Sequence, residues 1–164
     1  MRKTVSIAAG IVAAATIAFV VESCGSSTTA PTGKVYVANM IAANEQGGFT
    51  SPGSGVFTFV DNGTEIDWTL NLTNMTAVIA SHIHLGDVNA VGATAGPVIE
   101  NLFLPNGPTA TLNGLITHGI ITNANNATIS LDSLRVLFNN GHAYANVHTS
   151  AHPSGEIRDQ VHPM

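Results

Sequence analysis

The chain has 164 residues, of which 45% are hydrophobic and only 9% are charged. Globular proteins contain roughly 25% charged residues, yet this chain is too apolar for disorder, so one folded domain with an uncharged polar surface is expected. A net charge of −5 with only five Lys and Arg excludes the basic patch that nucleic-acid binding needs. The single cysteine, Cys24, excludes an internal disulfide, a cysteine zinc site and an iron–sulfur cluster, which leaves His and carboxylates as candidate metal ligands.

The start of the chain predicts an export signal followed by a tether. Residues 1–23 begin with two basic residues, continue as an uncharged run and end just before Cys24, which is the organisation of a signal peptide. A cysteine after a small residue resembles a bacterial lipobox, so we expect a lipid on Cys24, a membrane anchor and a flexible tether over 24–33. Glu22 departs from the usual lipobox residue, and secretion with a free cysteine is the alternative. Either way, the domain over 34–161 is expected to work outside the cytoplasm, in the cell envelope if it is anchored.

From residue 34 onward, apolar and polar residues alternate between regularly spaced turn signals, a pattern typical of an antiparallel sandwich or barrel. The clearest element is a hairpin over 55–72, with Asn62-Gly63 suited to the tight turn. Ser130 as a cap and leucines spaced by three predict one short helical turn over 130–139. About eight strands are therefore expected. The other predicted strands are Lys34–Ile41, 77–85, 97–104, 110–122, 142–149 and 156–161, with a Gly-rich loop over 86–96.

Candidate metal ligands lie on two of these predicted strands. His82 and His84 flank one residue of an extended segment, so both imidazoles project from one face, about 7 Å apart along the strand. In the strand over 142–149, small and apolar residues alternate with polar ones, which therefore point away from the core. A third imidazole from this second strand would complete a three-nitrogen site, which suits copper or zinc and keeps one position open. The metal-free alternative is that these histidines hydrogen-bond nearby loop carbonyls. The polar face of the second strand carries His142, Tyr144, Asn146 and His148.

The remaining polar residues give weaker indications. Glu156 and Arg158 lie two apart on a predicted strand and would face the same way as an ion pair, or else guide an anion to a metal. No Ser-His-Asp arrangement, phosphate-binding loop or nucleophile elbow is recognisable, so no catalytic residue is assigned. The histidines expected at the surface are His118, His142, His152 and His162.

Four segments follow one another in a characteristic order. They are Ser-His-Ile-His-Leu-Gly at 81–86, Ala-Gly-Pro-Val-Ile at 95–99, Gly-His-Ala-Tyr-Ala-Asn-Val-His-Thr at 141–149 and Pro-Ser-Gly-Glu-Ile-Arg-Asp-Gln at 153–160. Together they resemble the chordin (CHRD) domain over residues 34–161. Ala145 stands where the family usually has Val, and Asp159 where it usually has Gly. In animals the family implies a repeat in a secreted growth-factor antagonist, and in bacteria an envelope protein of undefined role.

The chain is also similar, more faintly, to Cu/Zn superoxide dismutase, a Greek-key barrel with copper on the outer face of its sheet. There too a His-x-His strand leads to a Gly-rich loop with Ala-Gly-Pro, and a later strand ends in Val-His. This similarity implies copper ligands at His82, His84 and His148, and an anion-attracting role for Arg158. Val98 replaces the bridging histidine, and the other zinc ligands and the disulfide have no counterparts. The similarity therefore stops short of the zinc site and of dismutase activity.

We therefore expect an all-β, antiparallel Greek-key sandwich or barrel that serves as a binding module of the cell envelope. Its candidate cofactor is copper, held by the three histidines on the sheet surface. Two alternatives stay open: a copper-dependent superoxide-handling enzyme, and a metal-free module that binds a protein or a glycan.

Overall fold

The structure is a computed structural model that describes residues 33–88, 95–126 and 128–164. The expected signal peptide, Cys24, the tether up to residue 32 and the middle of the loop over 86–96 lie outside the described residues. Within the described chain, no helix is both long and apolar enough to cross a membrane. The strands are β1 (Lys34–Ile41), β2 (Ser54–Asp61), β3 (Ile66–Met75), β4 (Val78–Leu85), β5 (Val98–Phe103), β6 (Leu112–Ile121), β7 (Ala143–Thr149), β8 (Ile157–Gln160) and β9 (His162–Pro163). One α-helix, α1 (Leu131–Asn140), precedes β7, and a short 3-10 helix (Ala42–Asn44) follows β1.

The strands form one antiparallel sheet in the order β5-β4-β7-β8-β1-β2-β3-β6, with β9 beside β1. β1, β2 and β3 are consecutive neighbours, and the later strand β8 returns to lie beside β1, which is the Greek-key arrangement. The sheet curls into a nearly closed barrel, so the all-β prediction is confirmed. The described residues form nine strands where about eight were expected, because the chain end adds the two-residue β9.

The core lies inside the curled sheet and is set by the alternation along each strand. In the hairpin of β2 and β3, Phe57 and Phe59 point inward and Phe57 meets Trp68 edge to face, with ring centroids 5.9 Å apart. Apolar residues of β7, on the far side of the barrel, belong to the same core. Burial of these aromatic rings supplies much of the hydrophobic stabilisation.

The predicted helix is confirmed, with the Ser130 cap that the sequence indicated. Ser130 Oγ accepts a hydrogen bond from the Ser133 N–H at the start, and Gly141 adopts φ 65° at the end, a conformation that glycine takes without steric cost. The Phe138 ring packs against two core rings, with its centroid 5.2 Å from that of Tyr36 and 5.1 Å from that of Phe59. These contacts fix the position at which the chain passes from the helix into β7.

Candidate metal centre

The pairing of β4 with β7 brings the candidate ligands to one face of the sheet. His82 lies opposite Asn146, His84 opposite Tyr144, and His148 opposite Ala80. Directly opposed residues project from the same face, so the three imidazoles share a face. The intervening apolar residues Ile83, Ala145 and Val147 are part of the core, as the alternation predicted.

The three imidazoles converge. One ring nitrogen from each of His82, His84 and His148 lies within 4.8 Å of the others, and His82 Nδ1 is 3.0 Å from His148 Nε2. Two nitrogens bound to one ion at about 2.1 Å with a tetrahedral angle between them are about 3.4 Å apart. A pair at the 4.8 Å limit therefore needs to close by roughly 1.4 Å, which requires rotation of the side chains. No carboxylate belongs to this cluster in the described part of the chain.

Two backbone carbonyls fix the tautomer of two of the three rings. His84 Nδ1 lies 2.8 Å from Gly96 O, and His148 Nδ1 lies 2.9 Å from Pro153 O. Because a carbonyl only accepts, both Nδ1 atoms carry the proton and donate it. Their Nε2 atoms therefore carry lone pairs, and that of His148 accepts a hydrogen bond from His82 Nδ1. Such carbonyl contacts are typical of histidines that hold metals.

Burial keeps all three imidazoles neutral. Burial, and then the neighbouring His148 and His84, lower the pKa of His82 to about 4. Burial is also the main cause that lowers the pKa of His84 and of His148. The Gly96 carbonyl opposes this effect at His84, and the Pro153 carbonyl opposes it at His148. At neutral pH the rings are thus in the form that coordinates a metal.

One nitrogen of the cluster has no partner of its own. His84 Nε2 is fully buried and makes no hydrogen bond of acceptable geometry among the described residues, and the Asn146 side chain lies near enough to raise the pKa of His84. A buried polar atom in this condition costs about 1–3 kcal/mol, and such atoms in native proteins call for a specific explanation. A cation bound by the cluster would satisfy this lone pair.

The three histidines lie on the outer face of the sheet, as expected, but that face is covered and not exposed. All of β7 is buried on both faces, His84 is only 6% exposed and His148 only 8%, while His82 is half-buried. The outer face is covered because Gly96 and the Pro153 turn lie against the histidines.

The loop after β4 is held at both ends. The Gly96 N–H donates to Tyr144 Oη at 3.0 Å, and the Tyr144 ring stacks on His84 with centroids 4.9 Å apart. At the other end, Gln160 Nε2 donates to Gly86 O, and Val88 N–H donates to Gln160 Oε1. Sequence reasoning did not assign these supporting roles, because a carbonyl has no side-chain signature. The only hint was the Ala-Gly-Pro segment of the family pattern.

The expected ion pair between Glu156 and Arg158 is wrong. Arg158 is buried, its Nε lies 3.5 Å from Glu45 Oε2 and donates to Asn44 O at 2.6 Å. Glu156 precedes β8 and instead accepts hydrogen bonds from hydroxyl groups. The partner was missed because Glu45 lies more than a hundred residues away, beyond any local spacing rule. Arg158 does lie opposite Asn146, on the face of the cluster, and its charge lowers the pKa of His84 slightly further.

The remaining histidines lie outside the cluster. His118, His142 and His162 are exposed, as expected. His142 falls just before β7 and not within it. His152 is half-buried at the surface and stacks on Phe49 with ring centroids 4.0 Å apart, so it is less exposed than the other three.

The fold and the site define an antiparallel Greek-key domain with three convergent histidines beneath its loops. The family model of the CHRD domain matches residues 36–161, and the chain belongs to this family. The four segments that carried the resemblance all lie within the match. Neither among curated proteins nor among solved structures does the chain have a significant match.

Proposed function

We propose that this protein is a CHRD-domain binding module of the bacterial cell envelope whose His82, His84 and His148 hold a copper ion. The observation that carries the proposal is the buried, unpartnered His84 Nε2, which faces a cluster with two further imidazole nitrogens. The envelope location draws on the signal-like N-terminus and Cys24 of the sequence.

The donor set favours copper over the other common divalent ions. All three ligands are neutral imidazoles, which suit copper and zinc, and divalent copper binds nitrogen sites more tightly than zinc does. When bound, copper would supply a redox-active Lewis acid with an open coordination position. Gly96 O and Pro153 O would hold two rings in a fixed orientation, with the Nε2 lone pairs of His84 and His148 unprotonated. His82 Nδ1 donates to His148 Nε2, so its proton would move to the other ring nitrogen when a metal binds.

Calorimetric titration of the chain from Gly25 onward with Cu(II) and Zn(II) at neutral pH tests the proposal. We expect one copper per chain, bound more tightly than zinc, with nitrogen coupling in the electron paramagnetic resonance spectrum. The variant His82→Ala/His148→Ala should lose this binding. A control that removes two exposed imidazoles, His118→Ala/His142→Ala, should keep it. Binding that is absent from the native chain, or equal in both variants, refutes the proposal.

A copper-dependent superoxide-handling enzyme is the second candidate. The half-buried His82 favours it, because this ring is the most accessible part of the cluster. Arg158 would attract the anion, although its pairing with Glu45 offsets part of its charge. The enzyme predicts superoxide turnover by the copper-loaded chain that falls in Arg158→Gln while copper stays bound. Copper binding without superoxide turnover would refute the enzyme and leave the binding module as the remaining proposal.

A further inference from the structure

A second concave site lies outside the histidine cluster. A cleft of about 300 Å³ opens between the residues that precede β2, the turn between β3 and β4, and the segment after β7. This volume is at the lower end of the range for small-molecule sites. The polar side chains that line it are Thr50, Ser51, Asn74, Thr76, His152 and Glu156.

The carboxylate of the cleft is held in a fixed position. Ser51 Oγ donates to Glu156 Oε1 at 2.5 Å, and Thr149 Oγ1 donates to Glu156 Oε2 at 2.6 Å. A carboxylate has about four lone-pair sites, so each oxygen keeps one for a ligand. No Lys or Arg lines the cleft in the described part of the chain, so it does not attract a phosphate or a sulfate.

The wall of the cleft contains unusual backbone. Asn74 at φ 53° and Ala77 at φ 54° are the non-glycine residues with positive φ in the described chain, and both line the cleft. For alanine this left-handed conformation is strained, and such residues cluster at functional sites. Ala77 is held there by hydrogen bonds, since its N–H donates to Thr109 O and its carbonyl accepts from the Ser150 N–H.

The lining combines hydroxyl, amide and carboxylate groups with the small apolar surfaces of Pro52, Ala77 and Ala151. Neutral sugars present hydroxyls that both donate and accept, and C–H faces that pack on apolar surface. An extended peptide binds by hydrogen bonds to unpaired backbone N–H and C=O groups of the site, but both backbone groups of Ala77 are already paired within the protein. We propose that this cleft binds a neutral saccharide, independently of the metal, and so identifies the ligand class of the binding module.

Protein NMR tests the proposal with free neutral mono- and disaccharides built from glucose, galactose, mannose and N-acetylglucosamine. With at least one of them, we expect saturable shifts of the backbone amides of Thr50, Thr76 and His152. Ala151 is exposed and lines the cleft, so Ala151→Trp should fill it and weaken binding at least tenfold. Ala124→Trp adds the same ring at an exposed turn elsewhere and should bind as the native chain does.

Sugar shifts that are absent, or that persist in Ala151→Trp, overturn the proposal. A pool of short peptides that shifts these amides where sugars do not also overturns it, and assigns the cleft to peptides. The copper proposal is kept separate by His84→Ala, which should lose copper yet bind the sugar normally, because the His84 ring contacts Gly96 and Tyr144 and not the residues that line the cleft. Sugar binding therefore stands or falls independently of copper binding.

Discussion

Replacement of Gly96 by alanine is the sharpest test of how the histidine cluster is held. A Cβ at this position would lie 1.6 Å from Leu85 O, whereas side-chain carbons essentially never approach within 3.0 Å. The segment must therefore move by about 1.4 Å. If Gly96 O moves directly away from the His84 ring by this amount, the 2.8 Å distance from His84 Nδ1 to Gly96 O becomes about 4.2 Å, which is beyond hydrogen-bond range.

We expect Gly96→Ala to lower copper affinity by roughly 10- to 100-fold, the usual cost of removing a group that orients a metal ligand. Competition with a chromophoric chelator at neutral pH measures the affinity, and circular dichroism checks the fold. Gly114→Ala is the control: its Cβ meets nothing within 4 Å, but its φ of 87° costs stability without touching the site. Affinity of Gly96→Ala within twofold of the native value, or an equal loss in Gly114→Ala, would refute this reasoning.

Three further predictions concern stability. Hydrogen bonds from the Arg135 guanidinium are the main cause that lowers the pKa of Asp61. The ionised carboxylate therefore stabilises the fold at pH values above its unfolded pKa of about 4, and this stabilisation is lost as acid protonates it. The free energy of urea unfolding should therefore be higher for the native chain than for Asp61→Asn, and this difference should be larger near neutral pH than at about pH 3. Phe138→Ala should cost about 3–5 kcal/mol because it empties a fully buried ring site, and Ser130→Ala about 1 kcal/mol because it removes the helix cap.

Each of these has its own contradicting result. An equal stability difference for Asp61→Asn at both pH values would show that the charge of Asp61 has no part in it. Val136→Ala changes an exposed residue of the same helix and should cost under about 0.5 kcal/mol; a cost like that of Phe138→Ala would argue against burial as the cause. No loss in Ser130→Ala would mean that solvent or Ser133 replaces the cap.

Local pattern was sufficient to predict eight strands and the α-helix of this fold, but not the two-residue β9 or the short 3-10 helix. β1 was predicted with its observed bounds, and the helix between Ser130 and Gly141 shifted by one residue, because alternation, capping and turn residues act over a few positions. The family was recognisable from four short segments in order. The ion pair of Arg158 was predicted with the wrong partner, because a local spacing rule does not reach Glu45, which is more than a hundred residues away in the sequence.

For the candidate site, the sequence by itself determined which face each histidine occupies, since side chains alternate along a strand whatever lies beside it. Only the tertiary structure decided that His82 and His148, which are 66 residues apart, meet at 3.0 Å. That contact depends on β4 pairing with β7, and strand order is set by long-range packing of the whole barrel. The burial of the cluster was decided in the same way, because the carbonyls of Gly96 and Pro153 reach it from loops whose paths follow from the assembled sheet.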